Sequence, residues 1–179
     1  VKTAWPAQRV AVNMPVKKDR LARGDVLATA DSLRPTLMLD VRLEVLKNSP
    51  FHVKNGSWVH LHLGSRELLA KVVLMEHEAL AEGQFGFAQL RLMEPVTARV
   101  GDNFVLRFYS PMVTIGGGQI LDPTPLKHRR HKIQVLESFE TKETGAPQER
   151  LELLLKERPG TFPKLSDLIM RAGLDPVWA

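Results

Sequence analysis

The densest run of charge in the chain is Lys127-His128-Arg129-Arg130-His131-Lys132, which contains no acid. Such a run can meet phosphate oxygens or form the solvated start of a helix, and composition leaves both readings open. Gly116-Gly117-Gly118 could cradle a phosphate, but no Lys-Ser/Thr follows it and it lacks dinucleotide-motif spacing. Three glycines within a strand pattern more often mark close backbone packing, which is the reading preferred here. His60 and His62 alternate on one strand face and could share a metal, yet no third ligand is evident and two surface histidines explain the spacing. Ser110 has no base near it in sequence, and the carboxylates are scattered without an obvious acid/base pair. There is no cysteine, so thiolate metal sites, cysteine nucleophiles and disulfides are excluded. No Gly-rich loop ends in Lys-Ser/Thr, so the chain is expected neither to bind nor to hydrolyse GTP. The expectation is a non-catalytic chain, with no catalytic residue, cofactor or metal of its own.

Charge is distributed unevenly. Residues 1–30 carry six Lys/Arg against two Asp/Glu, residues 31–122 nine against ten, and residues 123–179 ten against eight. The ends are therefore basic and the middle nearly neutral, within a formal charge of +5 that suggests an anionic partner. No apolar run is long enough to cross a bilayer, and Val1-Lys2-Thr3-Ala4-Trp5-Pro6 lacks a signal-peptide layout. With cysteine absent, a cytoplasmic protein with no membrane partner is expected. The first residue is not Met and the last are Trp178-Ala179, so both ends are expected to be limits within a longer chain.

The middle segment supplies the elements that would position these residues. Leu37, Leu39, Val41, Leu43 and Val45 alternate with Met38, Asp40, Arg42 and Glu44, the period of a half-buried strand. Further strands are expected over 59–63, 68–75, 87–92, 104–108 and 113–121, each bounded by turn residues such as Asn55-Gly56, Gly64-Ser65 and Gly101-Asp102-Asn103. Six short strands so spaced predict a closed six-stranded antiparallel β-barrel over about 34–122, with Leu39, Val41, Leu43, Leu61, Leu63, Leu106 and Phe108 inward. Residues 1–33 hold the strand-like pieces Arg9–Asn13 and Asp25–Ala28 around a basic loop, and read as the end of a preceding β-barrel. After Asp122-Pro123-Thr124-Pro125 the period becomes helical. Ile133, Leu136 and Phe139 begin it, Leu151, Leu154 and Leu155 continue it, and Leu165, Leu168 and Ile169 end it. Pro147 suits a helix start, Pro159-Gly160 a stop, and Gly173 the end of the third helix. The fold class expected is mainly β with a helical C-terminal part, residues 123–179 forming the front of a winged-helix domain.

These segments, taken in order, resemble the selenocysteine-specific elongation factors, SelB. Arg9-Val10-Ala11-Val12-Asn13 and Arg23-Gly24-Asp25-Val26-Leu27-Ala28 are similar to the end of that family's second domain. Leu61-His62-Leu63-Gly64, Ala88-Gln89-Leu90-Arg91-Leu92-Met93-Glu94-Pro95 and Gly101-Asp102-Asn103-Phe104-Val105-Leu106-Arg107 continue the resemblance. Its most specific element is Tyr109-Ser110-Pro111-Met112-Val113-Thr114-Ile115-Gly116-Gly117-Gly118-Gln119-Ile120-Leu121-Asp122, similar to the closing strand of the third domain of translational GTPases. The general elongation factor EF-Tu is the second relative considered, but its closing strand usually carries Gly-Ala-Gly and little follows it. The ordered resemblance spans about residues 9–131. It departs from the family pattern at Pro6-Ala7, which replaces an expected glycine before Gln8, and in lacking the GTPase domain and most of the second domain.

The resemblance implies a parent that binds GTP and Mg²⁺ in a GTPase domain outside this chain. That parent would deliver selenocysteyl-tRNA to the ribosome during UGA recoding and read an mRNA hairpin through later winged helices. It implies for this chain an RNA-binding, tRNA-positioning role, made through backbone contacts that carry little sequence information. The resemblance implies RNA contact at Arg107, Tyr109 and Ser110, beside the family's T-stem contact, and the charge of the basic run adds Lys127, Arg129 and Arg130 as expected RNA contacts. Two other classes remain open at this stage. One is a basic barrel that binds an acidic protein, or the equivalent domain of another translational GTPase; the other is an enzyme with a metal on His60 and His62.

Overall fold

Alternating apolar residues need an enclosed space, and six strands closed on themselves provide one without leaving a sheet edge. The computed structural model describes residues 3–5, 8–30, 32–157, 160 and 163–174. Its strands are β1 (Pro35–Val45), β2 (Val53–Lys54), β3 (Trp58–Leu63), β4 (Arg66–Leu74), β5 (Ala79–Leu80), β6 (Phe85–Thr97), β7 (Asn103–Phe108) and β8 (Thr114–Asp122). Six of them close an antiparallel barrel in the order β1-β6-β4-β3-β7-β8, while β2 and β5 pair as a small separate ribbon. Leu39, Val41, Leu43, Leu61, Leu63 and Leu106 are buried inside, and Phe108 packs against them while stacking on Phe51 at 4.1 Å between ring centroids. The expected barrel and its expected inward residues are therefore present.

Two parts of the strand reading need correction. Leu37, expected on the inward face of β1, is 52% exposed. The pairing of β1 with β6 slips between Thr36 and Met38, so the alternation does not continue through that irregularity. Arg9–Asn13 and Asp25–Ala28, expected as strand pieces, form no sheet pairing. Val10, Val12, Val26 and Leu27 are exposed there, and a strand needs a neighbouring ladder to satisfy its backbone. Pro6-Ala7, Pro159 and Trp178-Ala179 lie outside the described residues.

Three helices follow: α1 (Ile133–Thr144), α2 (Pro147–Glu157) and α3 (Leu165–Ala172). Pro147 opens α2, and Gly173 closes α3 with φ 65°, a left-handed cap that glycine adopts without strain. The basic run precedes α1 rather than lying within it. Phe139 of α1 is buried against Val73, Met75 and Leu121, with Phe87 at 5.2 Å. The helices thus cover the outside of the barrel over β8, β1 and parts of β6 and β4.

That covering explains a residue the alternation misplaces. Asp40, on the polar face of β1, is fully buried. Its carboxylate accepts from Gln89 Nε2 at 3.0 Å and Lys142 Nζ at 3.1 Å, and lies 2.8 Å from His128 Nε2. Period two reports which side of the sheet a residue faces; it cannot report whether that side is roofed. Asp122 of β8 is also buried, accepting from Arg171 Nη2 at 2.6 Å and the Thr124 amide at 2.9 Å, with Lys142 Nζ 3.0 Å away. Burial would raise its carboxyl pKa, but Lys142 and Arg171 outweigh burial and hold it below the ordinary value.

A candidate nucleic-acid interface

In the ring of strands β3 lies three places from β1, so its outer surface is on the side away from the helices. Val59, Leu61 and Leu63 point into the core, which turns Trp58, His60 and His62 outward. The same alternation turns out Leu69 and Lys71 of β4, Arg91 and Met93 of β6, and Val105, Arg107 and Tyr109 at β7. Register brings them together: Trp58 lies opposite Lys71, Lys71 opposite Arg91, and His60 between Leu69 and Arg107. Directly opposed residues stand about 5 Å apart, so these side chains form one surface. Trp58 and Tyr109, 43% and 56% exposed, border an open cleft of about 540 Å³ with Ser57, Leu69, Met93 and Phe108. Glu67 offsets part of the charge, its carboxylate 3.1 Å from His60 Nδ1.

Arg107 has a local task as well as an outward position. Its Nη2 donates to the Met112 carbonyl at 2.9 Å, which ties down the loop carrying Tyr109 and Ser110. Tyr109 stacks over His60 at 5.6 Å, and the Ser110–Pro111 peptide is cis. Lys127, Arg129 and Arg130 are elsewhere. The Leu126 carbonyl accepts from Gln89, and His128 turns inward to Asp40, leaving Lys127 and Arg129 exposed on the helical side. Arg130 donates through Nε to the Leu74 carbonyl at 2.7 Å and through Nη2 to the His77 carbonyl at 2.8 Å and Glu78 at 2.7 Å. The six residues expected at RNA therefore form two groups rather than one site.

Replacing Arg130 with alanine leaves two main-chain acceptors without this donor. It is expected to cost about 1–3 kcal/mol in urea unfolding at pH 7. A change within experimental error would show that water replaces these bonds fully.

The other candidates resolve into packing. Gly116, Gly117 and Gly118 pair with both β1 and β7, and a Cβ on any of them would collide with a main-chain carbonyl oxygen of Glu44, Phe104 or Arg42. Close backbone approach accounts for the glycines. Among the described residues no group of three or more His, Cys, Asp or Glu is placed to hold a metal. No helix among them is long and apolar enough to cross a membrane.

Residues 40–127 match the family model described as the beta-barrel domain of the selenocysteine-specific elongation factor. The barrel belongs to that family. Over 157 residues the chain is 35% identical to the selenocysteine-specific elongation factor of Desulfomicrobium baculatum, covering 87% of this chain and 24% of the relative. The chain thus spans about a quarter of the length of the curated relative it matches. A crystal structure of a bacterial selenocysteine-specific elongation factor, EF-Sec, superposes with a TM-score of 0.64 over 90% of this chain and 24% of that one. At 22% identity that likeness supports the fold, six barrel strands with helices following. Three residues of the SelB-type barrel's outer face, Trp58, Lys71 and Arg91, are not found by reading motifs. They sit on three strands, and only the register between those strands makes them neighbours.

Proposed function

We propose that this chain is the tRNA-positioning part of a factor that delivers selenocysteyl-tRNA to the ribosome in a GTP-dependent manner at recoded UGA codons. The observation that carries this reading is the basic, aromatic outer face of β3, β4, β6 and β7 on a SelB-type barrel, on the side the helices leave open. Lys71, Arg91 and Arg107 supply cations for phosphates, and Trp58 and Tyr109 supply rings that pack on sugars or bases. Arg107, Tyr109 and Ser110 serve this face. Lys127 and Arg129 add long-range attraction from the other side, and Arg130 is chiefly a clamp. In this reading residues 1–33 end a second β-barrel, 34–122 form the third domain and 123–179 begin a winged-helix domain. GTP and Mg²⁺ belong to a GTPase domain elsewhere in the longer factor, and an mRNA hairpin to later winged helices.

The test is tRNA affinity of the longer factor at several salt concentrations, for Lys71→Glu, Arg107→Glu and Lys156→Glu. Lys156 is exposed on α2, on the helical side. Each of the first two is expected to weaken binding by about 1–3 kcal/mol, with GTP affinity unchanged. The salt slope for Lys71→Glu should become shallower by about one unit, because a lost phosphate contact removes one released counterion. Equal losses for Lys156→Glu would reduce the face to diffuse basicity. No loss at Lys71 or Arg107, with retained binding to an acidic protein, would favour the interaction-module reading.

A further inference from the structure

Five charged side chains from five elements meet beneath the helices, and the RNA reading uses none of them. Lys142, in the last turn of α1, is only 3% exposed. Its Nζ lies 3.1 Å from Asp40 of β1, 3.0 Å from Asp122 of β8 and 2.9 Å from Glu157 of α2. Arg171 of α3 shares two of these partners, at 2.6 Å from Asp122 and 2.7 Å from Glu157. An ammonium has three N–H donors, and here three carboxylates from three different elements face it. Losing hydration is costly for a buried cation, so the arrangement holds only while the partners stay in place. A buried tripod of charged groups loses its pairing with small displacements, in a surrounding where unpaired charge is costly.

We propose that Lys142 is a positioning residue that holds α1, α2 and α3 at one fixed orientation on the barrel, so that helices and barrel move as a single body. The helical unit is then a rigid arm set at a defined angle to the outer face of β3. Docking does not depend on what that face binds. What the arm is aligned with does rest on the tRNA reading above.

The chain has no cysteine, so two introduced cysteines can be spin-labelled without background. Val105→Cys on β7 and Lys156→Cys on α2 place the labels on exposed positions of the two parts. A single narrow distance distribution is expected for this pair at pH 7. Adding Lys142→Met keeps an unbranched side chain near Phe139 but removes the tripod, and the distribution should become at least twice as wide. Adding Asp40→Asn to that variant relieves the excess negative charge. Its melting temperature should move back toward the parent's while the distribution stays broad, which separates positioning from charge balance. Hydrogen exchange in β3 and β4 should stay within about threefold of the parent in both variants.

An unchanged narrow distribution with Lys142→Met would overturn the proposal. So would a return to narrow in the double variant, or barrel strands losing protection along with the helices. None of these measurements involves RNA, so they stand or fall separately from the proposed function.

Discussion

Replacing Asp122 with alanine is expected to cost the folded chain about 3–5 kcal/mol, because it takes from two buried cations the carboxylate they share. Lys142 and Arg171 both bind this carboxylate, and the Thr124 amide donates to it as well. Alanine supplies neither the charge nor the acceptor, which leaves Asp40 and Glu157 to Lys142 and Glu157 alone to Arg171. Asp122→Asn keeps an acceptor for Thr124 and should lose less than the alanine variant. Urea unfolding at pH 7 measures both. The pH dependence has a definite sign. The Asp122 pKa is depressed in the folded chain below its ordinary 3.8, so its contribution is fully present above that value. It disappears as pH falls through the depressed folded value. Lys142 runs the other way: burial alone would lower its pKa, the three carboxylates raise it above 10.5, and its contribution persists into alkaline solution. The parent should therefore lose stability below about pH 4 more steeply than Asp122→Ala does. Parallel acid limbs would show that Asp122 does not carry this dependence.

Gly118→Val is expected to destabilise the barrel by about 3 kcal/mol or more, as a branched side chain must displace a main-chain carbonyl. Gly118 lies opposite Leu43 of β1 and Phe104 of β7, and an added Cβ would land on the Arg42 carbonyl oxygen, 3.1 Å from the Phe104 ring. Nothing there is the free end of a flexible side chain. Gly101 provides the comparison. An added Cβ meets nothing within 4 Å there, and the residue is glycine for its φ of 88°. Gly101→Ala should thus cost only conformational strain, about 1–2 kcal/mol. Chemical denaturation of both variants decides the point, and equal costs would mean that backbone conformation, not close approach, selects the glycines of β8.

The two sites show what a linear reading can reach. Alternation from Leu39 to Val45, and again at Val59-Leu61-Leu63, marks strands because one side of each is enclosed by the others. The ribbon of Val53–Lys54 with Ala79–Leu80 is only two residues per strand, too short to show a period. Helix spacing at Ile133, Leu136 and Phe139 locates α1, yet Lys142 looks like any solvated helix lysine. Its partners lie at positions 40, 122 and 157, and no local pattern joins these. Arg130 stands in a basic run that suggests phosphate, while its actual partners are the carbonyls of Leu74 and His77. Trp58 and Lys71 each look unremarked in their own strands; pairing makes them one surface.

Asp40 belongs to the first barrel strand, whereas His128 and Lys142 follow it by 88 and 102 residues. During synthesis from the N-terminus the carboxylate is made long before either partner. At about 5–20 residues per second, Lys142 joins the chain on the order of 5–20 seconds after Asp40. Until then α1 is not there to cover the outer surface of β1, and water can serve the carboxylate. The ring itself closes only when β8 pairs with β1, a long-range step that is slow to nucleate. The carboxylate that anchors the helices is thus in the chain well before either of its cationic partners, and chain length sets the delay.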